Sequence, residues 1–229
     1  MVPSNILQRT FQLLHNGATG TGFTFDVDGR QYLATARHVV EGLGAGSTVE
    51  VFGNGAWQHV AIGSVWFSPT GADVALLSLK RQLSPAHAVA MVGDGATFSL
   101  SQQAYFLGFP YGLQTEVGQL NNGYPIPFVK SGIVSSFSMQ SGGSQVVFVD
   151  GINNPGFSGG PIVTISPKYE VLIVAVVSGY RYNDDKIMLN GQDTGLTYRA
   201  NTGLVIGYSV KELLHQAKLS ADGAVVHGA

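Results

Sequence analysis

Cysteine is absent from the chain, and charge is scarce. The lack of cysteine excludes disulfide bonds, a thiol nucleophile and cysteine-rich zinc sites, and it removes any reason to require an oxidising compartment. The 12 basic and 14 acidic residues give a net charge of −2 and form no run of one sign. Binding to nucleic acid or to an anionic membrane would need concentrated positive charge. The sequence therefore predicts no nucleic-acid partner and no membrane partner.

Long apolar segments and paired metal ligands are also missing. The longest uninterrupted apolar run, 171–177, is far shorter than the about 20 residues of a membrane helix. Residues 1–5 lack the basic start and the apolar centre of a signal peptide, so we expect a cytoplasmic protein. The six histidines are scattered singly, without a second histidine at metal-ligand spacing. We expect neither a metal nor another cofactor.

Short apolar segments separated by turn residues predict an all-β fold. The 31 glycines, together with Asn and Asp, punctuate segments rich in Val, Phe, Tyr and Thr, which is typical of many short strands. Asp28-Gly29 is a hairpin turn between two such segments. The number of strands suits two six-stranded units. The expected strands are 23–27, 32–36, 48–52, 59–67, 74–79, 103–107, 128–137, 145–150, 161–166, 171–180, 196–200 and 205–208.

Two helices and a seam complete the expected organisation. Residues 4–15 are expected to be helical, since Leu7, Phe11 and Leu14 recur at helical spacing. Ser209-Val210-Lys211-Glu212 predicts a capping box that opens a C-terminal helix, followed by a frayed tail. The seam between the two units is expected within 83–96. The expected division is an N-terminal helical segment (1–17), a first unit (18–90), a second unit (91–208) and a helix with its tail (209–229).

Ser158 lies in the string Gly156-Phe157-Ser158-Gly159-Gly160-Pro161. A serine hydroxyl is a weak nucleophile at neutral pH, so it needs a nearby base, a group that fixes the tautomer of that base, and N–H donors for the developing oxyanion. Glycines let this backbone turn tightly, so that the amide N–H groups of Gly156 and Ser158 can converge on one oxyanion. The same string also fits a plain surface turn, and it satisfies Gly-x-Ser-x-Gly, the nucleophile elbow of esterases and lipases.

A candidate base and its partner stand at the ends of two expected strands. His38 follows the apolar segment 33–36, and Asp73 stands at the entrance to the apolar strand 74–79. A lone histidine, like an aspartate in a turn, is more often structural than catalytic. Beside a histidine, however, a buried carboxylate would hold the imidazole N–H and stabilise the imidazolium that forms on proton transfer. We therefore expect His38 to be the general base and Asp73 to orient it.

In the order His38, Asp73, Ser158, these motifs resemble the trypsin-like (chymotrypsin-fold) serine peptidases, and their wording is closest to the HtrA-like protease domain. The resemblance implies two perpendicular six-stranded β-barrels, with His38 and Asp73 from the first, Ser158 from the second, and the triad in the cleft between them. It also implies endopeptidase hydrolysis of a peptide or protein through an acyl-enzyme. The similar segments are 19–23, 35–40, 73–77, 107–113, 131–135, 150–161 and 201–203, so that residues 19–218 are roughly covered in order.

The resemblance further implies a substrate-binding strand and a side-chain pocket. A peptide would pair as an added strand with Val177, Ser178, Gly179 and Tyr180. Ile152 falls where a trypsin-type enzyme carries a carboxylate at the base of its pocket. The resemblance therefore implies a small or medium apolar residue before the cut, not Arg or Lys.

Two features depart from the family. Phe157 replaces the aspartate that zymogen-type members use to bind a freshly cut N-terminus, so no activation by N-terminal cleavage is expected. The segments 114–127 and 181–194 look longer than the compact HtrA-like loops. They are expected near the cleft, where they would gate access.

Two other functions stay open at this point, and the oligomeric state is undecided. An esterase or lipase would need an acid and then a histidine after the serine, here Asp184 and His215, and strands that alternate with helices. Only one good helix follows Ser158, which argues against it. A catalytically silent two-barrel domain that binds peptides or proteins would carry the same residues with its oxyanion loop turned away.

Overall fold

Six strands of the N-terminal half form a closed antiparallel ring. The computed structural model describes residues 1–86, 89–92, 97–165 and 171–227. The ring strands pair in the order β3-β2-β1-β4-β5-β6, and the pairing of β3 with β6 closes the ring. They are β1 (Thr10–His15), β2 (Ala18–Val27), β3 (Arg30–Thr35), β4 (Thr48–Gly53), β5 (Ala56–Phe67) and β6 (Ala75–Leu79).

The C-terminal half repeats this arrangement and adds the helices. Its ring runs in the order β11-β8-β9-β10-β13-β12 and is closed by β11 with β12, while β7 joins the edge of β12 in parallel. The predicted all-β fold of two six-stranded antiparallel barrels with a C-terminal helix is confirmed. The elements are β7 (Ala90–Met91), β8 (Gln103–Gly108), β9 (Phe128–Met139), β10 (Gln145–Asp150), β11 (Pro161–Ile165), β12 (Val171–Leu189), β13 (Gln192–Ser209), β14 (Ala224–Val225), α1 (Ser4–Leu7) and α2 (Lys211–Leu219).

Part of the expected seam lies outside the described residues. This applies to 87–88 and 93–96, and likewise to Ser166, the expected end of a strand. The division of the chain at residue 90 therefore stays a prediction.

The two rings share the larger of two buried apolar clusters. Phe23 and Phe25 from β2 lie in it with Phe106 from β8 and with Phe157 beside Ser158, each at most 1% exposed. Burial of one such aromatic side chain contributes about 1.5–3 kcal/mol. The shared core therefore fixes the segments at the contact of the two rings relative to each other.

Four two-residue hairpin turns among the described residues have the positive φ angles that a type I′ turn requires, and two of them bear on the sequence predictions. Asp28 and Gly29 (φ 49° and 73°) join β2 to β3, which confirms the predicted turn. Asn190 and Gly191 (φ 51° and 78°) join β12 to β13. The prediction of a loop over 181–194 is therefore wrong. The Asn-Gly turn sets the register of two strands that continue beyond the barrel as an exposed hairpin.

Residues 10–15 form a strand and not the second half of a helix. α1 ends at Leu7, and β1 pairs with β2 along its whole length and with β4 in part. Phe11 and Leu13 are fully buried and alternate with a period of two, which the helical spacing of Leu7, Phe11 and Leu14 concealed. The short N-terminal helix is present, but its predicted extension to residue 15 is wrong, because strand pairing satisfies backbone groups that a short isolated helix holds only weakly.

α2 begins with half of the predicted capping box. Ser209 Oγ accepts the N–H of Lys211 at 3.4 Å, although the N-cap residue itself is Val210, whose side chain makes no cap. The carboxylate of Glu212 accepts hydrogen bonds from the hydroxyl groups of Ser68 and Thr70. Glu212 therefore ties α2 to the segment after β5 and does not fold back on its own helix.

The segment after α2 is attached to the first ring and is not frayed, as far as residue 227. β14 pairs with the start of β3. The carboxylate of Asp222 accepts hydrogen bonds from Ser78 Oγ at 2.6 Å, from Ser64 Oγ at 2.5 Å and from Ser220. Burial alone raises the pKa of Asp222, but these three hydrogen bonds outweigh it and bring the pKa to about 2. The strand thus attaches the C-terminal segment to β3, and the carboxylate attaches it to β5 and β6.

We expect Asp222→Asn to lower the free energy of unfolding at pH 7 by about 1–2 kcal/mol, because the amide keeps one acceptor oxygen where the carboxylate uses both. Urea unfolding measures the change. Asp28→Asn, which removes the same charge from an exposed turn that tolerates Asn, is the control. The pKa of Asp222 is depressed from 3.8, so its contribution is present above about pH 4 and is lost as the pH falls toward 2. Equal stability of Asp222→Asn and wild type would contradict this.

Candidate active site

The register of β3 with β6 brings His38 and Asp73 together. Thr35 at the end of β3 pairs with Ala75 at the start of β6. His38 lies in a 3₁₀ turn (Arg37–Val39) just after the first strand, and Asp73 lies just before the second. His38 Nδ1 lies 2.7 Å from Asp73 Oδ2, and the His38 backbone N–H donates to Asp73 Oδ1 at 3.0 Å. Both oxygens of the carboxylate therefore hold the histidine.

Each member of this pair shifts the pKa of the other toward the charged form. The hydrogen bond with Asp73 raises the pKa of His38 above 6.5 against the opposing effect of burial, and the charges of Asp73 and Glu41 add to it. Burial by itself raises the pKa of Asp73, but hydrogen bonds from His38 and Ser178 outweigh it and hold the pKa below 3.8. The side chain of His38 is 48% exposed and that of Asp73 is 22% exposed. The imidazole thus reaches solvent while the carboxylate stays ionised at neutral pH.

Ser158 lies in a turn of the second ring that is bonded to the first. Thr21 on β2 donates its N–H to Ser158 O at 2.8 Å and its hydroxyl to Gly156 O at 2.7 Å. Ser158 Oγ donates to Ser178 O at 3.1 Å. Within the described part of the chain, this hydroxyl makes no hydrogen bond with His38. Catalytic hydrogen bonds often tighten only when a substrate is bound, so this resting geometry is compatible with a later contact.

The backbone around Ser158 leaves two amide groups free. Among the described residues, the N–H groups of Gly156 and Ser158 have no hydrogen-bond partner. Every carbonyl from 152 to 158, in contrast, accepts a hydrogen bond. Gly156 has φ +101°, and a Cβ there would meet Phe109 O at 2.2 Å, so only glycine fits. The turn therefore offers donors and no free acceptor to an approaching oxyanion.

Ser178 contacts Asp73 as well as Ser158, which the sequence analysis missed. Its hydroxyl donates to Asp73 Oδ2 at 2.6 Å. Ser178 was selected only for backbone pairing with a peptide. The position of Ser178 directly after the apolar run 171–177 could have indicated this contact. A serine at the end of a buried strand is itself partly buried, and a buried hydroxyl needs a hydrogen-bond acceptor.

The residues expected to bind substrate lie next to one another. Val177, Gly179 and Tyr180 belong to β12, and β13 pairs with one edge of this segment. Asn153 Nδ2 donates to Gly179 O at 3.0 Å from the other side. Ile152, the neighbour of Asn153, is 53% exposed. The hydrogen bond of Asn153 thus places the neighbour of Ile152 beside Gly179, while contact of these residues with a substrate stays a prediction.

A family model described as a trypsin-like peptidase domain matches residues 20–168. This span contains His38, Asp73 and Ser158. The chain belongs to the trypsin-like peptidase family. No curated protein matches it in sequence.

Solved proteases share the fold of this trypsin-like peptidase domain. Rv3671c from Mycobacterium tuberculosis H37Rv, in an inactive form, is 16% identical, with a TM-score of 0.59 over 93% of this chain and 86% of that one. The HtrA-type protease AlgW with a tripeptide is 18% identical, with a TM-score of 0.56 over 93% of this chain and 60% of that one. A serine endoprotease from Yersinia pestis is 14% identical, with a TM-score of 0.57 over 97% and 70%. At these identities the likeness shows the fold.

The esterase or lipase alternative does not fit this trypsin-like domain. Its two rings consist of antiparallel strands, without the alternation of strands and helices that an α/β-hydrolase needs. Asp184, the acid of that alternative, is bound to Arg199 Nε at 3.0 Å within the exposed hairpin, and His215 lies on α2. The fold therefore excludes the α/β-hydrolase order, and the triad of His38, Asp73 and Ser158 stays a prediction.

The segment 114–127 of the trypsin-like domain packs against the first ring. The ring of Tyr124 contacts that of Phe11 edge-on, with centroids 4.8 Å apart. The N–H of Asn54 donates to Gly123 O at 2.6 Å. These contacts attach the segment to β1 and to the turn after β4, and its predicted role in gating access stays a prediction.

Within the described ranges, no group of three or more His, Cys, Asp or Glu side chains of the trypsin-like domain is arranged to hold a metal ion. Likewise, no helix among the described residues has the length and apolar character needed to cross a membrane. The predicted cytoplasmic location is untested.

We expect the His38 imidazole to titrate above pH 6.5 and Asp73→Asn to lower its pKa, because the amide removes the charge and weakens the hydrogen bond, both of which oppose the desolvation of the ring. An NMR titration of the ring protons measures both values, with His38→Gln to assign the signal. Asp184→Asn, which removes a carboxylate from the exposed hairpin, should leave the pKa of His38 unchanged. The same pKa in wild type and Asp73→Asn would show that the pair does not set the basicity of His38.

Proposed function

We propose that the chain is a serine endopeptidase that hydrolyses peptide bonds through an acyl-enzyme, with Ser158 as nucleophile, His38 as general base and Asp73 as the group that orients it. The observation that carries the proposal is the pair of Asp73 and His38, joined by two hydrogen bonds, beside a serine turn. Among the described residues, the N–H groups of Gly156 and Ser158 in this turn have no partner. A weak nucleophile needs this combination of base, orienting group and oxyanion donors. The family match supports the same class of reaction.

The first step forms the ester bond to Ser158, breaks the C–N bond of the substrate, and carries one proton from the serine to the leaving amine. Ser158 Oγ leaves its hydrogen bond with Ser178 O and donates to His38 Nε2 while it attacks the substrate carbonyl. The imidazolium then gives this proton to the leaving amine as the C–N bond breaks. Asp73 stays ionised throughout, since its role is to stabilise the imidazolium and not to accept the proton.

The second step repeats the first with water as the nucleophile. His38 takes a proton from the water that attacks the acyl carbon, and it returns that proton to Ser158 when the ester bond breaks. The N–H groups of Gly156 and Ser158 hold the oxyanion in both steps. In other enzymes the loss of one such donor lowers kcat by about 10²–10³-fold.

The substrate of this proposed peptidase is an extended peptide that adds to the edge of β12. Gly179 and Tyr180 pair with β13, while Ser178, at a bulge in this pairing, accepts the Ser158 hydroxyl with its carbonyl. Main-chain pairing of this kind positions the scissile bond independently of side chains. The exposed Ile152 supports a small or medium apolar residue before the cut, because it offers no charge to a basic side chain.

A catalytically silent domain that binds peptides or proteins is the second candidate. The observation that favours it is the bond of Ser158 Oγ to Ser178 O, which leaves the hydroxyl without a contact to its base. The free N–H groups of Gly156 and Ser158 favour the active enzyme, since a silent oxyanion loop would turn a carbonyl into the site.

We expect Ser158→Ala and His38→Ala to abolish peptide hydrolysis, and Asp73→Asn to lower kcat by about 10⁴-fold because the imidazole tautomer is no longer fixed. Turnover of a casein substrate measures the whole cycle, and covalent labelling by a fluorophosphonate measures the attack of the Ser158 hydroxyl alone. Ser135→Ala, at an exposed serine on β9, is the control and should keep full activity. A wild-type protein that is neither active nor labelled would favour the silent binding domain.

We expect cleavage after small or medium apolar residues to exceed cleavage after Arg or Lys by at least about tenfold in kcat/KM. Digestion of a proteome-derived peptide library, with cleavage sites determined by mass spectrometry, gives the preference. Ile152→Asp should increase cleavage after Arg and Lys, because it adds a carboxylate that attracts a basic side chain, while the uncharged Ile152→Asn should not. A basic preference in the wild type would refute the pocket assignment.

A further inference from the structure

Lys130 connects β9 to the segment that leads into Ser158. It lies opposite Phe106 in the register of β8 with β9. Its Nζ donates to Ile152 O at 2.7 Å and to the side-chain oxygen of Asn154. The same ammonium lies 5.5 Å from the centroid of the Phe157 ring. One side chain thus contacts three residues of the segment 152–157.

The environment of this ammonium favours a fixed position. The side chain is half-buried, and burial lowers the pKa of Lys130. A partly desolvated cation is stable only where oxygens and aromatic faces replace water, and all three of its contacts belong to one short segment. The Phe157 ring is fully buried and is itself fixed by an edge contact with Phe106, whose centroid lies 5.2 Å away. Lys130 therefore has a rigid ring beneath it.

A chain of contacts runs from Lys130 to the amide of Gly156. Asn154, held by Lys130, donates its Nδ2 to Tyr111 Oη at 3.1 Å. The backbone N–H of Tyr111 donates to Pro155 O at 2.8 Å. In a trans peptide the carbonyl and the N–H point in opposite directions. A Pro155 carbonyl held by Tyr111 therefore turns the N–H of Gly156 away from Tyr111 and leaves it free.

We infer that Lys130 is a positioning residue that holds the segment 152–157 in the conformation in which the Gly156 N–H is available to the substrate oxyanion. This inference rests on the proposed function and deepens it. The residue before the serine is the apolar Phe157, so no carboxylate there binds a cation. The chain instead supplies an internal ammonium that contacts the Phe157 ring and the two oxygens upstream. The contacts of Lys130 then order the segment 152–157 within the folded chain.

The test compares Lys130→Met, which keeps the length of the stem and removes the donors, with Lys130→Arg, which keeps a cation. Lys211→Met, at an exposed position of α2, is the matched control. We expect Lys130→Met to lower kcat by about 100-fold with little change in KM, as expected when an oxyanion donor is lost. Fluorophosphonate labelling should slow in parallel, Lys130→Arg should recover part of both rates, and Lys211→Met should behave as wild type.

Hydrogen–deuterium exchange gives a readout that does not depend on activity. A peptide spanning 150–160 should exchange faster in Lys130→Met, while peptides from β2 and β12 keep their protection. Asn154→Ala removes the acceptor of the same hydrogen bond and provides a second variant if Lys130→Met folds poorly. It should lower kcat in the same direction, and the double variant should lose less than the sum of the two changes.

The outcomes separate this inference from the proposed function. In one outcome the wild-type protein is active and labelled, and Lys130→Met and Asn154→Ala react at the wild-type rate. This outcome would refute the role of Lys130 and leave the proposed peptidase function unaffected. A wild-type protein that is inactive and unlabelled would refute the function. In that case the exchange experiment still decides whether Lys130 orders the segment, because faster exchange in Lys130→Met supports the contact and unchanged exchange overturns it.

Discussion

The contact of Thr21 with the turn of Ser158 is the constraint on which the site depends. Thr21 is fully buried on β2 of the first ring. Its N–H and hydroxyl donate to Ser158 O and Gly156 O, and its hydroxyl accepts the N–H of Phe109 from the segment after β8. The carbonyl of Thr21 in turn accepts the hydroxyl of Thr35 at the end of β3. One residue thus ties the serine turn to the strand that leads to His38.

This contact demands a close approach of backbones, which explains the glycine that follows the serine. A Cβ on Gly159 would meet Thr21 O at 1.9 Å and Thr35 Oγ1 at 2.2 Å. A larger residue there would push the two rings apart and move the serine away from the histidine. The packing of the two barrels, as well as the turn itself, therefore requires the glycine-rich string. The string alone is compatible with more than one enzyme fold, whereas its close approach to the first barrel is compatible with the two-barrel fold.

The sequence predicted the parts that local pattern controls and missed those set by distant pairing. Asp28-Gly29 is a local signal, so the hairpin was predicted. Asn190-Gly191 is an equally clear signal, but the outer parts of β12 and β13 beside it are exposed and pair with each other beyond the barrel, so the sequence analysis ended one strand at residue 180 and began the next at 196. The period of two at Phe11 and Leu13 competed with a helical period, and pairing with β2 decided between them.

The partners of Glu212 and Asp222 could not be predicted, because Ser68 and Ser78 lie 144 residues away in sequence in both cases. His38, Asp73 and Ser158 were assigned from the order of their motifs, which does not require three-dimensional information, and their catalytic roles stay predictions.

The bond between Ser158 Oγ and Ser178 O links substrate binding to release of the nucleophile in the proposed mechanism. Ser178 holds Asp73 with its hydroxyl and Ser158 with its carbonyl. A peptide that adds to the edge of β12 brings an N–H to that carbonyl and competes with the serine hydroxyl for it. The hydroxyl then finds its best remaining acceptor in the neutral nitrogen of His38, while the contact of Ser178 with Asp73 keeps the imidazole in place. In the proposed mechanism the hydrogen bond of Ser158 Oγ with Ser178 O is thus the contact that substrate pairing breaks, so the distance between nucleophile and base is compatible with an active enzyme.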